Sequence, residues 1–173
     1  MIFITASRKP TIAAMIEENS SLSTLTKLVK ASNLSDTLDQ DGSYTIFAPN
    51  NDAFARVPDN VINWWLKPEN SDELRSILLR HLWPTIYLAK VIKQEDLDVE
   101  TVGGDMIRTE RSNNGIIVNS YGSKGKIVAT DTLASNGVIH VIDNVLWLHR
   151  TKNILPQGIK HSNNFLKYQF KIL

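Results

Sequence analysis

Two segments that lie far apart in the sequence constrain the fold of this chain more than any other feature. The first segment runs from Tyr44 to Phe54 and reads Tyr-Thr-Ile-Phe-Ala-Pro-Asn-Asn-Asp-Ala-Phe. Its β-prone beginning predicts a short strand that Pro49 ends. Asn50 can then cap a brief helix whose Ala53 and Phe54 point inward. The segment therefore predicts one core strand joined directly to a capped helix.

The second segment runs from Ala134 to Asp143 and reads Ala-Ser-Asn-Gly-Val-Ile-His-Val-Ile-Asp. Its Asn-Gly pair is a turn signal, and the residues after it predict a core strand. His140 and Asp143 are three positions apart, so strand alternation places their side chains on opposite faces. We therefore expect no catalytic pairing between them.

The rest of the chain changes from helical to strand-like hydrophobic spacing. Apolar residues recur at helical intervals in the first third and again from Asp59 to Leu82. From Leu97 onward, short runs of period 2 are separated by turns such as Gly122 to Gly125, and a strand from Val138 to Leu148 closes the series. Helices followed by a meander of strands predict an α+β fold, and 173 residues suit a single domain.

Polar residues at the expected positions predict where several helices begin. Thr11 and Ser21 each precede an apolar helical stripe and can cap it. Asn70 and Glu73 have the spacing of a capping box at the start of a helix that carries Leu74, Ile77, Leu78, His81 and Leu82.

The two long segments, in this order, are similar to those of the fasciclin-type adhesion domain. The similarity includes the helical N-terminus, the helix that ends in His81-Leu-Trp-Pro84, and the strand region between the segments. It covers about residues 11 to 148. It implies a compact fasciclin-like wedge, in which a helical N-terminal half packs on short, mainly antiparallel strands. Residues 1–10 and a basic stretch, 149–173, are then extensions of the domain.

The same resemblance implies function. Members of the family are secreted or surface-attached, and they interact with other macromolecules without catalysis. We therefore expect a secreted, periplasmic or cell-surface protein whose partner is a protein or glycan on a cell surface. The apolar start, Met1 to Ile4, is too short to be the core of a signal peptide, so none is visible in this chain.

Six residues are candidates for contact with a partner. In animal matrix members an Asp-Ile pair just before the second long segment is linked to integrin binding. The matching pair here is Asp131-Thr132, which lacks the apolar half of that epitope. His81 lies on an apolar helical stripe, where a structural histidine is the commoner occurrence. The candidates are Asn51, Asp52, His81, Trp83, Asp131 and Thr132.

Composition and motifs argue against other classes of function. The chain has no cysteine and a net charge of +1, so we expect no thiolate metal site and no general attraction to nucleic acid. No stretch approaches the about 18 apolar residues of a membrane-spanning helix. Phosphate-loop, dinucleotide-binding, Gly-x-Ser-x-Gly and His-Glu-x-x-His patterns are absent from the sequence. We therefore expect no enzyme activity, no cofactor and no metal.

A carrier of a small apolar ligand, such as a carotenoid or lipid, is the alternative function. Trp64, Trp65 and Trp83, with Tyr87 nearby in sequence, could line an apolar groove. Core packing is the expected role for at least two of these tryptophans.

The C-terminal stretch has its own pattern. From Asn144 onward it contains no acidic residue and five lysines or arginines. At its end, Leu166, Tyr168, Phe170 and Ile172 alternate with Lys167, Gln169 and Lys171, which is typical of a strand. An amphipathic strand needs a sheet edge, so we expect residues 165–173 to dock on their own domain or to mediate self-association.

Overall fold

The computed structural model describes residues 9–120 and 122–147. The basic extension, most of the 1–10 extension and the proposed self-association segment, 165–173, therefore lie outside the described residues. The domain boundaries remain predictions.

The α+β fold class is confirmed: helices dominate the first half of the described chain and strands the second. The α-helices of the described residues are α1 (Ile12–Glu18), α2 (Ser23–Ala31), α3 (Ser35–Asp39), α4 (Asn51–Ala55), α5 (Asp59–Trp65), α6 (Ser71–Leu79) and α7 (Ala89–Ile92). Short 3₁₀ helices, Ser20–Leu22 and Pro68–Asn70, precede α2 and α6.

The strands of the described residues form one sheet in the order β2-β1-β7-β6-β5-β4-β3. They are β1 (Tyr44–Pro49), β2 (Leu82–Trp83), β3 (Asp98–Glu100), β4 (Met106–Ser112), β5 (Gly115–Ser120), β6 (Ser123–Ala134) and β7 (Gly137–Ile142). The two long sequence segments supply β1 and β7, which pair in parallel along their whole length. Every other pairing in the described sheet is antiparallel.

Two apolar clusters cover opposite faces of this sheet. Successive side chains of a strand point to opposite faces, so on β1 Ile46 and Ala48 join the larger cluster while Phe47 joins the smaller one. The helices α1, α2 and α6 contribute to the larger cluster, and α7 contributes Ala89 and Ile92 to the smaller one. Because β1 and β7 carry both clusters, their sequences are apolar almost throughout.

The Asn-Gly turn before β7 is a junction of the fold. Asn136 accepts a hydrogen bond from Ile12 N at 2.8 Å through Oδ1, and its Nδ2 donates to the carbonyl oxygens of Leu38 and Gln40, both at 2.8 Å. A Cβ at Gly137 would lie 2.2 Å from the carbonyl oxygen of Tyr44. The turn therefore joins the first and third helices to the start of β1.

The capping predictions have mixed outcomes. Thr11 and Asn50 do cap α1 and α4, accepting hydrogen bonds from Ala14 N at 3.3 Å and Ala53 N at 2.8 Å. The predicted cap at Ser21 is wrong, because this residue lies inside a 3₁₀ turn. The predicted capping box at Asn70 is also wrong, because its Nδ2 donates to the carbonyl oxygen of Trp64, at 2.7 Å.

Two strand boundaries also differ from the sequence expectation. The predicted turn over Gly122 to Gly125 is too long, because the hairpin closes between Ser120 and Ser123 and β6 begins there. β7 ends at Ile142, short of the predicted Leu148. The chain then turns so that Leu146 can donate its backbone N–H into the core.

Candidate functional site

Exposed apolar side chains concentrate at one place in the described structure. Eight large apolar residues are exposed in the described structure, and five of them lie within three positions, along the sequence, of Ala89 or Asp131, whose N and Oδ1 form a hydrogen bond at 2.8 Å. We call this the Asp131 surface and define it as Asp131, Thr132 and those five residues: Ile86, Leu88, Val91, Val128 and Leu133. A concentration of this kind is typical of an interaction site.

Asp131 lies at a kink in β6. The register between β6 and β7 shifts between Ile127 and Ala129 and again between Ala129 and Thr132. Asp131 itself has a φ of 58°, a left-handed conformation that aspartate tolerates better than most residues. A strand irregularity of this kind changes the direction in which side chains point. Here it leaves Val128 to Leu133 exposed as an unbroken run.

Two backbone contacts and one buried imidazole hold the kink. Asp131 donates its backbone N–H to Nδ1 of His140 at 3.2 Å, while the other ring nitrogen of His140 lies 2.8 Å from the carbonyl oxygen of Tyr87. Since Nδ1 accepts, Nε2 carries the proton and donates to Tyr87. His140 therefore connects the kink in β6 to the chain before α7.

The imidazole of His140 is suited to this role because it stays neutral. Burial lowers the pKa of His140, and this effect outweighs the Tyr87 carbonyl and the Asp131 carboxylate, which raise it. The ring also stacks against Phe47, with centroids 5.7 Å apart. The neutral ring has one nitrogen that donates and one that accepts, and its packing against Phe47 keeps both of them directed at their partners.

The chain before α7 forms the other half of the surface. Thr45 donates its hydroxyl to the carbonyl oxygen of Thr85 at 2.7 Å and accepts from Tyr87 N at 2.8 Å. The Tyr87 ring meets Trp83 edge-on, with centroids 5.3 Å apart. Ile86 and Leu88, on either side of Tyr87, remain exposed. The surface is therefore tied to the central strand β1.

The structure brings only two of the six sequence candidates to this surface: Asp131 and Thr132, both exposed. His81 and Trp83 are buried in the core, which removes them from the surface open to a partner. Asn51 and Asp52 lie at the start of α4, where Asp52 is exposed.

His81 makes two hydrogen bonds inside the core. Its Nδ1 lies 2.9 Å from the carbonyl oxygen of Ile77, and its Nε2 accepts the backbone N–H of Leu146, at 2.9 Å. Burial lowers the pKa of His81 to about 4; the Ile77 carbonyl partly opposes the shift, and Arg80 adds to it. His81 therefore joins the end of α6 to the chain after β7 as a neutral ring.

Asn51 has a structural role that the sequence did not indicate. Its Oδ1 accepts the backbone N–H of Thr24, at 3.0 Å, and its Nδ2 donates to the carbonyl oxygen of Ser20, at 2.9 Å. Asn51 thus caps α2 from a neighbouring helix, in place of the predicted Ser21. Capping across helices leaves no pattern in a local stretch of sequence.

Potential metal ligands and histidines among the described residues lack the arrangement that metal sites require. No group of three or more potential metal ligands occurs among them. Both described histidines use their ring nitrogens for the structural bonds above. The half-buried ion pair between Arg80 Nε and Asp105 Oδ2, at 2.5 Å, joins the end of α6 to the chain before β4.

The aromatic residues do not form the predicted groove. Trp64 and Trp65 pack in the larger cluster, and Trp83 and Tyr87 belong to the smaller one on the other face of the sheet. The buried positions of Trp65 and Trp83 confirm core packing for two tryptophans. A cavity near Leu25 and His81 has a volume of about 10 Å³, whereas pockets for small ligands span roughly 300 Å³ or more. That cavity has no room for a carotenoid or lipid.

Sequence reasoning missed His140 as a support of the surface and missed its apolar residues. One signal was present, because Ile86 and Leu88 alternate with Tyr87 in the manner of a chain with one face exposed. The contact between Ala89 and Asp131 joins residues 42 positions apart, so no local pattern could indicate it.

Comparison with known proteins identifies the family. The model of the fasciclin domain matches residues 20–148. Protein sll1483 of Synechocystis sp. is 37% identical over 136 residues, which are 79% of this chain and 72% of that protein. Human periostin is 29% identical over 154 residues, which are 88% of this chain but only 18% of periostin. The chain belongs to the fasciclin domain family.

The fold has a counterpart of known structure. The FAS1 domain pair from the insect cell adhesion molecule Fasciclin I matches with a TM-score of 0.73 and 22% identity, over 82% of this chain and 52% of that chain. At this identity the likeness concerns the fold. Among the helices of the described residues, none has the length and apolar character needed to cross a membrane.

Proposed function

We propose that this fasciclin-family chain is a non-catalytic interaction domain that acts outside the cytoplasm. It is secreted, periplasmic or held at the cell surface, and it binds a protein or glycan on a cell surface. The Asp131 surface is the contact region.

The concentration of exposed apolar side chains around one rigidly held aspartate carries this proposal. Exposure of large apolar side chains to water is unfavourable. Binding of a partner that buries them is therefore favoured by the hydrophobic effect. His140, Thr45 and Ala89 hold the surface by hydrogen bonds, so little conformational freedom remains to be lost on binding. Asp131 adds one exposed charge, which can select a partner of opposite sign. Membership of the fasciclin domain family supports the same class of function.

A protein fits this surface better than a glycan. Beyond Lys126 no described strand pairs with the outer side of β6, so backbone groups there remain available to an extended chain. Strand addition uses such groups for affinity and neighbouring apolar side chains for specificity. Val128 and Leu133 provide those side chains.

Adhesion of protein-coated beads to surface extracts of the source organism tests the proposal. Leu133→Lys should reduce adhesion at least tenfold, because it introduces a charge into the apolar contact. Met106→Lys is the matched control, since Met106 is equally exposed but lies on β4. Pretreating the extract with protease should abolish adhesion, whereas glycosidases should leave it intact. Equal adhesion by both variants would contradict the proposed surface, and the opposite enzyme sensitivity would assign a glycan partner.

A further inference from the structure

The outer edge of β6 is open over seven residues of the described structure. The pairing with β5 ends where Ile117 faces Lys126, and from Val128 to Ala134 the strand pairs only with β7. All residues from Val128 to Leu133 are exposed. Unpaired strand edges of this length are usually shortened, charged or covered. The Asp131 kink interrupts this edge without covering it.

The two strands at the ends of the described sheet, β2 and β3, have edges that are less suited to pairing with a further strand. The outer side of β2 is occupied, because Val102 donates its backbone N–H to the carbonyl oxygen of Leu82 at 2.8 Å. The strand β3 has only three residues, Asp98–Glu100, and both ends of it are acidic. Among the described strands, β6 therefore has the edge best able to take a further strand.

The same chain contains a segment with the length and pattern of such a strand. Residues 166–172 number seven, like the open edge, and alternate large apolar with polar side chains. When this segment lies beside β6, its apolar face can contact exposed apolar side chains of that edge, such as Leu133, while its lysines point to the other face of the sheet.

The chain between the described domain and residues 166–172 is long enough for that segment to reach the edge of β6. Eighteen residues separate Trp147, the last described residue, from Leu166. An extended chain covers about 3.3 Å per residue, so the connection can reach roughly 60 Å. A domain of this size has a radius of gyration of about 15 Å, so every edge of the sheet is within reach.

We propose that residues 166–172 dock along the outer edge of β6 in the same molecule and cover the Asp131 surface. The docked segment and an external partner would then compete for the same edge of β6. The docking itself concerns this chain alone and stands whether or not a partner binds.

The absence of native cysteine allows a direct test by disulfide trapping in the full chain. Thr130→Cys, near the middle of the open edge, is combined in turn with Lys167→Cys, Gln169→Cys and Lys171→Cys. A disulfide needs Cα atoms about 4.4 to 6.8 Å apart, which neighbouring strands satisfy, and the three partners allow for different registers. Mild oxidation at micromolar concentration is followed by non-reducing electrophoresis.

The matched control pairs Met106→Cys, on exposed β4, with the same three tail positions. Loop length alone changes the rate of closure between these pairs by about twofold. We therefore expect at least one Thr130 pair to form an intramolecular disulfide more than tenfold faster than its Met106 counterpart, and 6 M urea to remove the difference. Equal rates for all pairs in the native protein would overturn the proposal. Covalent dimers instead of closed monomers would overturn docking within one molecule and assign the edge to a second copy.

Discussion

Removal of the imidazole of His81 should change how stability depends on pH. In the folded protein the pKa of His81 is lowered to about 4, whereas an unfolded histidine titrates near 6.5. Below pH 6.5 the unfolded chain takes up a proton that the folded chain excludes, so stability falls as the pH drops towards 4. Protonation would also place an N–H on the ring nitrogen that accepts from Leu146.

The size of the effect follows from the two pKa values. The full difference corresponds to about 3.4 kcal/mol, and about 2 kcal/mol of it is lost between pH 7.5 and pH 5. His81→Gln removes this titration. At pH 7.5 the variant should be less stable than the wild type by about 1 to 3 kcal/mol, because packing and one buried hydrogen bond are lost. Between pH 7.5 and pH 5 it should then lose about 2 kcal/mol less than the wild type.

Urea unfolding followed by circular dichroism at both pH values measures these differences. Asn136→Ala is the matched control: it also weakens the core but keeps His81, so its pH dependence should equal that of the wild type. Parallel pH dependence of wild type and His81→Gln would refute the reasoning. A variant that is as stable as the wild type at pH 7.5 yet fails to bind a partner would show that His81 is a contact residue.

Further variants test the junctions of the fold and the absence of metal. Gly137→Ala should lower the unfolding free energy by about 3 kcal/mol, because its Cβ would collide with the Tyr44 carbonyl; an unchanged urea midpoint would contradict this. Asn136→Ala should cost about 3 kcal/mol by leaving buried backbone groups unpaired, measured in the same way. Asn51→Ala should lower the unfolding free energy by about 1 to 2 kcal/mol, measured by thermal unfolding, because Asn51 caps α2. Asp52→Ala, which leaves that cap intact, should lower it by less than about 1 kcal/mol. Protein purified without metal-affinity resin should contain no stoichiometric transition metal by elemental analysis.

The sequence was most informative where structure is local and strongly patterned. The strand and helix of the first long segment, and the strand of the second, follow directly from Asn50, Pro49 and the Asn-Gly turn. The two-residue strand β2 could not be predicted, because it depends on its contact with β1 and carries no periodicity of its own. The cap at Asn70 fails for another reason, since its side chain donates instead to the carbonyl oxygen of Trp64, at the end of the preceding helix.

Prediction of the site was limited by contacts between distant residues. Family resemblance indicated Asp131 and Thr132, and both are exposed as a contact site requires. The same reasoning chose His81 and Trp83, whose burial follows from the turn after α6 and the pairing of β2 with β1. His140 supports Asp131 only because the kink in β6 brings the backbone to its ring. Such a relation exists only once the sheet has formed.

The parallel pairing of β1 with β7 has a consequence for how the protein folds. Each paired residue of β1 is 93 positions from its neighbour on β7. Contacts of such long range make folding slow, because the entropy cost of closing the intervening loop comes before the favourable contacts form. During synthesis the strand that contains Ile46 and Phe47 cannot pair with β7 until nearly the whole domain has left the ribosome. The domain therefore completes its folding only after most of it has been synthesised. Late folding suits a protein that is exported as an extended polypeptide. It exposes a protein that folds where it is synthesised to aggregation.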